Sequence, residues 1–345
     1  MRVLVTGAQG YIGMHLVPTL TARGHQVVGV DTGYYADRQL YPAALDSHLI
    51  ARDIRHLTVD DLRGFDACVH LAELSNDPVG QFNPALTYEI NHAGSVRLAR
   101  LCRQAGVRRF VYSSSCSVYG AGTEDVKTED SPVAPLTAYA RCKVLVERDV
   151  AALADEEFSP TFLRNATAFG ASPSMRFDLV LNNLAGLAWT TGVIALTSDG
   201  TPWRPLVHVR DICRAVACVL EAPRDVVHNE TFNVGDNAAN YRVGEIAAIV
   251  QRAFPGCRIT LGPPGADARS YRVAFDKIRE RLPAFCCERT AADGAEELRA
   301  TFQRVGLTPE VFQCRTFTRL KQLQYLVSTG RLDSRFFWAD TPVVR

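Results

Sequence analysis

Ser113-Ser114-Ser115-Cys116-Ser117-Val118-Tyr119-Gly120 gathers hydroxyls into one short run, and Tyr139-Ala140-Arg141-Cys142-Lys143 follows it in the chain. On a helix, a Tyr and a Lys four positions apart share one face, because side chains at i and i+4 stack along the axis. A phenol ionises only near pH ~10 and is a poor base at neutrality. An ammonium one turn away stabilises the phenolate and makes it a usable one. With a serine hydroxyl beside it, such a pair can move a proton on and off an alcohol. Taken alone, the same two residues would equally well form an exposed pair on a surface helix.

The elements that would have to hold this chemistry are legible around it. Gly7-Ala8-Gln9-Gly10-Tyr11-Ile12-Gly13 follows the apolar run Arg2–Thr6 and opens an amphipathic segment, Tyr11–Arg23, stopped by Gly24. In a strand–turn–helix of this kind, Gly7 permits the tight turn and Gly10 lets backbone approach a pyrophosphate. Gly13 allows the helix to lie close to the strand, and the helix N-terminus offers free N–H groups to phosphates. Asp31 ends the second strand, where a carboxylate would accept the adenosine ribose hydroxyls and repel a 2′-phosphate. This favours NAD over NADP, against the plainer reading of a turn or helix cap.

Strand-like runs at 2–6, 26–31, 47–53, 67–72, 109–114 and 161–164 alternate with helical patterns at 11–23, 84–104 and 137–154. That alternation predicts an α/β fold with a Rossmann-type doubly wound parallel sheet. After about Asn165 turn-rich segments interrupt shorter elements. We therefore expect a dinucleotide-binding domain over 1–165 and a smaller mixed α/β substrate domain over 166–345. Some segments of the second should return to the first sheet, and helices at 292–305 and 317–329 should form its tail. The terminal Phe336-Phe337-Trp338 reads as a packing patch rather than a ligand site.

A formal charge of +1 gives no broad attraction for nucleic acid or an anionic membrane, so any anion must be bound locally. No run approaches the ~20 apolar residues that span a bilayer, and the N-terminus has no signal-peptide form. Ten scattered cysteines match no zinc spacing, and a chain of this length needs no disulfide staples. They read as reduced thiols in a cytoplasmic protein.

From Met1 to about Ile278 these motifs together resemble the extended short-chain dehydrogenase/reductase family, in particular its nucleotide-sugar epimerases and dehydratases. The resemblance implies Ser115, Tyr139 and Lys143 as the catalytic set, with Lys143 also holding the nicotinamide ribose. It implies an NAD site formed by Gly7, Gly10, Tyr11, Ile12, Gly13 and Asp31. Asp53-Ile54 would meet the adenine edge, and Leu71-Ala72 would line the nicotinamide pocket. Asn91 matches an architectural asparagine. Glu73 is unusual where small or apolar residues are common, and reads equally as a buried carboxylate or a solvated loop charge.

Cys116 and Ser117 stand where the 4,6-dehydratases carry Asp and Glu, so the acid and base for loss of water are missing. The 3,5-epimerases carry their Cys at the position of Ser117, which leaves Cys116 a packing residue. In the second half the resemblance places Arg204, Arg269 (in Asp267-Ala268-Arg269) and Asn183 on the diphosphate of a sugar nucleotide. His208 and Asp211 would hold their segment against the first half. Thr167 would face the sugar where relatives carry Asn, and Asn165 cannot be assumed to replace it.

The implied activity is NAD-dependent epimerisation of a nucleotide-activated sugar, at C4 through a transient 4-keto sugar. A 4-ketoreductase or dehydrogenase, a UDP-glucuronate-type decarboxylase and a non-catalytic NAD(H) sensor or scaffold are the alternatives. A homodimer is expected, pairing helices 84–104 and 137–154 from each subunit. The second helix carries Val144, Leu145, Val150 and Leu153 beside its catalytic face, more than one stripe needs.

Overall fold

A computed structural model describes residues 1–43, 45, 48–265 and 269–339. Ser47 and Asp267, singled out above, lie outside the described residues. Seven strands form one parallel sheet: β1 (Arg2–Thr6), β2 (Gln26–Asp31), β3 (His48–Ala51), β4 (Ala67–His70), β5 (Arg109–Ser115), β6 (Ser159–Asn165) and β7 (Glu230–Val234). Their order is β7-β6-β5-β4-β1-β2-β3. Both β4 and β6 are buried at every position, as strands covered on both faces must be.

The longer helices, numbered along the chain, are α1 (Gly13–Ala22), α2 (Ser95–Gln104), α3 (Ala138–Ala151), α4 (Val180–Thr191), α5 (Val209–Glu221), α6 (Val243–Ala253), α7 (Ala291–Val305) and α8 (Arg319–Ser328). Alternate residues of each strand point to opposite faces. Val3 and Val5 meet Leu16 and Val17 of α1 and Ile212 and Val216 of α5 on one side. Leu4 and Phe110 meet Val96 of α2 and Val146 and Val150 of α3 on the other. Strand order reverses between β1 and β4, which opens a crevice at their carboxyl ends, the usual ligand position in such sheets.

The second half packs α4, α6 and α7 around a three-stranded sheet of Thr167–Phe169, Trp203–His208 and Asn240–Arg242. It also contributes β7 to the main sheet. Beyond it, α8 turns back onto the first half, where Leu323, Leu326 and Phe336 bury Tyr34, Val79, Leu86 and Ile90. The aromatic patch packs there too: Phe337 stacks on His56 at 4.6 Å, and the Trp338 indole donates to the Thr32 carbonyl at 2.7 Å.

The segment expected as one helix over 84–104 is helical throughout but widens into a π-helical stretch at Tyr88–Gly94. Asn91 sits in that stretch, fully buried, and its amide brackets the backbone N–H and C=O of Leu74 at 2.8 and 3.0 Å. The strand expected over 47–53 stops at Ala51, because Asp53 caps the short turn of helix that follows.

The first turn of α1 is as tight as its glycines imply. A Cβ on Gly13 would lie 2.3 Å from the Gly7 carbonyl oxygen and 2.5 Å from that of Ala8. Both atoms are backbone, so nothing flexible can yield. Gly13→Ala should therefore cost about 1–3 kcal/mol, the scale of overpacking. A denaturant midpoint equal to that of the wild-type protein would show that the turn has room to spare.

Candidate active site

A cavity of about 550 Å³ lies at the carboxyl ends of β1 and β4, between the two halves. Every site residue selected from the sequence contributes to its wall. Gly7, Gly10, Tyr11, Ile12 and Gly13 form one end. Gly7 adopts φ +74°, and a Cβ there would stand 2.9 Å from the Ala72 amide nitrogen. Only glycine lets the turn pass so close to the end of β4, as the glycines of dinucleotide-binding turns do. Leu71 and Ala72 continue the wall from the end of β4.

Asp31 accepts backbone hydrogen bonds from Gln9 at 2.9 Å and Gly33 at 2.8 Å. Burial pushes its carboxyl up, and those two N–H groups pull it back. Asp31 is thus a turn cap that also lines the cavity. Asp53 is more heavily engaged, accepting from the Arg55 amide at 2.8 Å and from its guanidinium at 3.0 and 2.8 Å. Ile54 lines the same end. The Tyr11 hydroxyl donates to the Gly170 carbonyl at 2.7 Å and accepts from Asn182 at 3.2 Å, bolting the glycine turn to the second half.

The centre of the cavity is set by α3. Thr137 caps this helix, accepting from the Ala140 amide at 3.2 Å and donating to Asp77 at 2.6 Å. Two residues on, Tyr139 lines the same cavity as Ser115 at the end of β5. One turn further, the Lys143 ammonium lies 5.4 Å from the centre of the Tyr139 ring. It donates to the Ser113 carbonyl at 2.5 Å and pairs with Glu73 at 2.6 Å. Glu73 is therefore the buried carboxylate of its two sequence readings, with its side chain 2% exposed. Its other oxygen accepts from the Tyr112 hydroxyl at 2.5 Å.

These groups bias one another. Burial pushes the Tyr139 phenol up; Lys143 pulls it down and Glu73 pushes it up again. For Lys143, burial works against the charge, yet the Glu73 carboxylate holds the ammonium above its usual range. Glu73→Gln keeps the shape and removes the opposing charge. The Tyr139 phenol should then ionise at a lower pH, because a like-charged neighbour that raises it is gone. Tyrosinate absorbance, read as the difference from the same titration of Tyr139→Phe, measures this directly. An unmoved phenol would mean that the carboxylate is screened from it.

At the other end, Arg204 is 7% exposed on the strand Trp203–His208. One of its nitrogens donates to the Trp203 carbonyl at 2.7 Å and to the Arg269 carbonyl. Arg269 pairs with Asp77 at 2.5 Å, which ties it through Thr137 to the head of α3. Asn183 donates to the Phe177 carbonyl at 2.9 Å, and Thr167 adds to the wall between them. His208 and Asp211 do not reach the first half. His208 pairs with Glu297 at 2.7 Å, and Asp211 accepts from the amides of Glu288 and Arg289, so both anchor the chain leading into α7.

Several lining residues were either set aside in the sequence reading, as Asn165 and Ser117 were, or escaped it. Asn165 faces the cavity along with Thr167, its amide donating to Ser113 at 3.0 Å while its oxygen has no partner. The Ser117 hydroxyl is likewise buried, unpartnered and on the wall. The position of Asn165 at the carboxyl end of β6 was the available signal. Cys116 turns away: it is 1% exposed, donates to the Arg164 carbonyl at 3.1 Å, and burial pushes its thiol far up. Arg176, paired with Asp178, and Arg319 reach the cavity from distant segments that carried no motif.

Comparison with known proteins agrees with this architecture. Residues 3–235 match the model of the NAD dependent epimerase/dehydratase family. A UDP-glucose 4-epimerase of Lactobacillus helveticus is 29% identical over 82% of this chain and 91% of its own. The solved structure of MoeE5 in complex with UDP-glucuronic acid and NAD is 29% identical, with a TM-score of 0.76 over 88% of this chain and 99% of that one. A UDP-glucose 4-epimerase from Thermotoga maritima shares the fold at 22% identity, with a TM-score of 0.78 over 89% of this chain and 100% of that one.

Proposed function

We propose an activity from one premise: this chain belongs to the NAD dependent epimerase/dehydratase family. Within it, the chain is an NAD-dependent epimerase of a nucleotide diphosphate sugar, acting at C4. The observation that carries this reading is the placement of Ser115, Tyr139 and Lys143, whose ammonium lies 5.4 Å from the Tyr139 ring centre, on the same cavity as the glycine turn. Gly7, Gly10, Tyr11, Ile12, Gly13, Asp31, Asp53, Ile54, Leu71 and Ala72 would hold NAD. The chemistry NAD supplies when bound is reversible hydride exchange with C4.

The protein's own part is proton transfer and grip. Tyr139 takes the 4-hydroxyl proton, directly or through Ser115, and gives it back to the C4 oxygen on the return. Lys143 pulls the phenol down against burial and would hold the nicotinamide ribose. Arg204, Arg269 and Asn183 bind the diphosphate, and Thr167 faces the sugar. With Cys116 and Ser117 at the two positions where dehydratases need acids, loss of water has no acid–base pair to drive it.

The test uses purified protein with UDP-, dTDP-, GDP-, CDP- and ADP-sugars and no added cofactor. An epimerase interconverts C4 epimers under these conditions, whereas a 4-ketoreductase turns over only when NADH is supplied. Absence of interconversion for all five classes would overturn the reading. We further assign residues 1–165 to NAD and the remainder mainly to the sugar nucleotide, in a cytoplasmic homodimer. Among the described residues no helix is long and apolar enough to cross a membrane. Of the four apolar residues assigned to the second stripe, Val150 is buried in the chain's own core, while Val144, Leu145 and Leu153 remain half-buried in the single chain. A monomer by light scattering at micromolar concentration would exclude that dimer.

A further inference from the structure

The first residue of α8 carries a charge that its surroundings do not balance. Arg319 is 3% exposed, and its side chain forms part of the cavity wall with Gly7, Gly10, Asp31 and Tyr35. Its partners are neutral. One terminal nitrogen donates to the Thr316 carbonyl at 3.3 Å, and the other donates to the Ser174 carbonyl and hydroxyl at 3.2 and 3.0 Å. The guanidinium lies over the Tyr35 ring at 4.3 Å. Of its five N–H donors, Nε and one proton of Nη1 have no acceptor among the described residues.

Among the described residues no carboxylate stands within ion-pair distance of this group. Its charged neighbours pull in opposite directions, and none of them forms an ion pair with it. Arg176 adds a second guanidinium nearby, and Asp178, which faces both, spends its two oxygens on Arg176 at 2.9 and 3.1 Å. Asp31 acts only at longer range. Burial together with Arg176 pulls the Arg319 pKa down to about 10. A buried cation held by neutral acceptors alone is costly, and the cost is removed when an anion completes the site.

We propose that Arg319 completes the anion site of this cavity by binding the diphosphate of the dinucleotide at the Gly7–Gly13 turn. The location favours the dinucleotide over the sugar nucleotide. Arg319 lies 4.3 Å over the ring of Tyr35 from the loop after β2, whereas Arg204 and Arg269 are grouped around Asp77. The loop that holds Arg319 is tied to the same turn: Ser172 donates to the Tyr11 carbonyl at 3.0 Å, and the Leu40 amide donates to the Pro173 carbonyl at 2.8 Å. A guanidinium fork suits two adjacent phosphate oxygens. Helix α8 lies beyond the span 3–235 matched by the family model, so this arginine is a contribution of the chain's own C-terminal segment.

The inference rests on the reading of NAD as cofactor, and its test does not require turnover. Calorimetry on the full chain, freed of nucleotide, would compare NAD, ADP-ribose, adenosine and UDP-glucose on wild type, Arg319→Met and Arg319→Lys. Arg319→Met should weaken NAD and ADP-ribose by about tenfold or more, the scale of a lost charged hydrogen bond, and leave adenosine and UDP-glucose unchanged. Arg319→Lys should restore part of the loss and keep the fold if the methionine variant does not. Unchanged NAD affinity in both variants overturns the proposal. So does equal weakening of adenosine, which would mark a structural role, or weakening of UDP-glucose alone, which would place Arg319 on the other diphosphate. If wild type binds NAD but no sugar nucleotide is epimerised, the functional reading fails while this test still stands.

Discussion

Replacing Tyr139 with Phe should lower the epimerisation rate by at least about two orders of magnitude while leaving NAD bound. The phenol lines the cavity together with Ser115, its ring centre 5.4 Å from the Lys143 ammonium, and in the proposed mechanism it exchanges the proton with the sugar hydroxyl. Removing a positioned general acid/base typically costs a factor of about 10²–10⁴. The ring itself would remain, and with it the packing at the head of α3, where the Gly80 backbone lies directly against Tyr139. Melting temperature and NAD affinity should therefore stay near wild type. Steady-state assays with the sugar nucleotide identified by screening, run beside calorimetry with NAD, separate the two effects. Near-full turnover in this variant would remove Tyr139 from the mechanism.

Arg204→Ala should weaken sugar-nucleotide binding by about 1.5–3 kcal/mol, the value of a charge-assisted hydrogen bond, without changing NAD affinity. Two features make Arg204 the stronger of the two arginines. It is nearly buried, where an ion meets less screening by water, while the Arg269 side chain is 41% exposed and shares its charge with Asp77. Arg204 also donates to the Arg269 carbonyl, so its removal loosens the neighbouring arginine as well. The double variant should consequently cost less than the sum of the singles. Lysine at 204 should recover only part of the affinity, since an ammonium cannot reproduce the guanidinium fork. Titration of the sugar nucleotide into the variant at wild-type affinity would detach Arg204 from the diphosphate.

Local features of the chain were the legible ones. β1 and β2 coincide with their apolar runs, and α3 begins at Ala138, one residue after the capping Thr137. The glycine turn and the Tyr139–Lys143 spacing are likewise local, and they located the cavity. Contacts between distant segments were not legible. Glu73 acquires its role from Tyr112 on β5 and Lys143 on α3, neither of which periodicity connects to it. Arg319 is the same case across the whole length of the protein: a lone arginine on an ordinary helix becomes part of the cavity only because α8 folds back over Tyr34 and Tyr35. His208 and Asp211 were assigned to the wrong neighbour for that reason too.

The way the sheet is finished limits how the protein can be cut. β7 comes from the second half yet pairs with β6 in register from Glu230↔Thr161 to Val234↔Asn165. A fragment ending after Asn165 would lose that edge strand and leave β6, buried at all of its positions, open along its backbone. Such an edge is a template for strand addition from another molecule, and the fragment would aggregate rather than fold as a free-standing nucleotide-binding module. Expression of the first half as a soluble unit must carry the chain at least through Val234. By then it has already included the strand that bears Arg204.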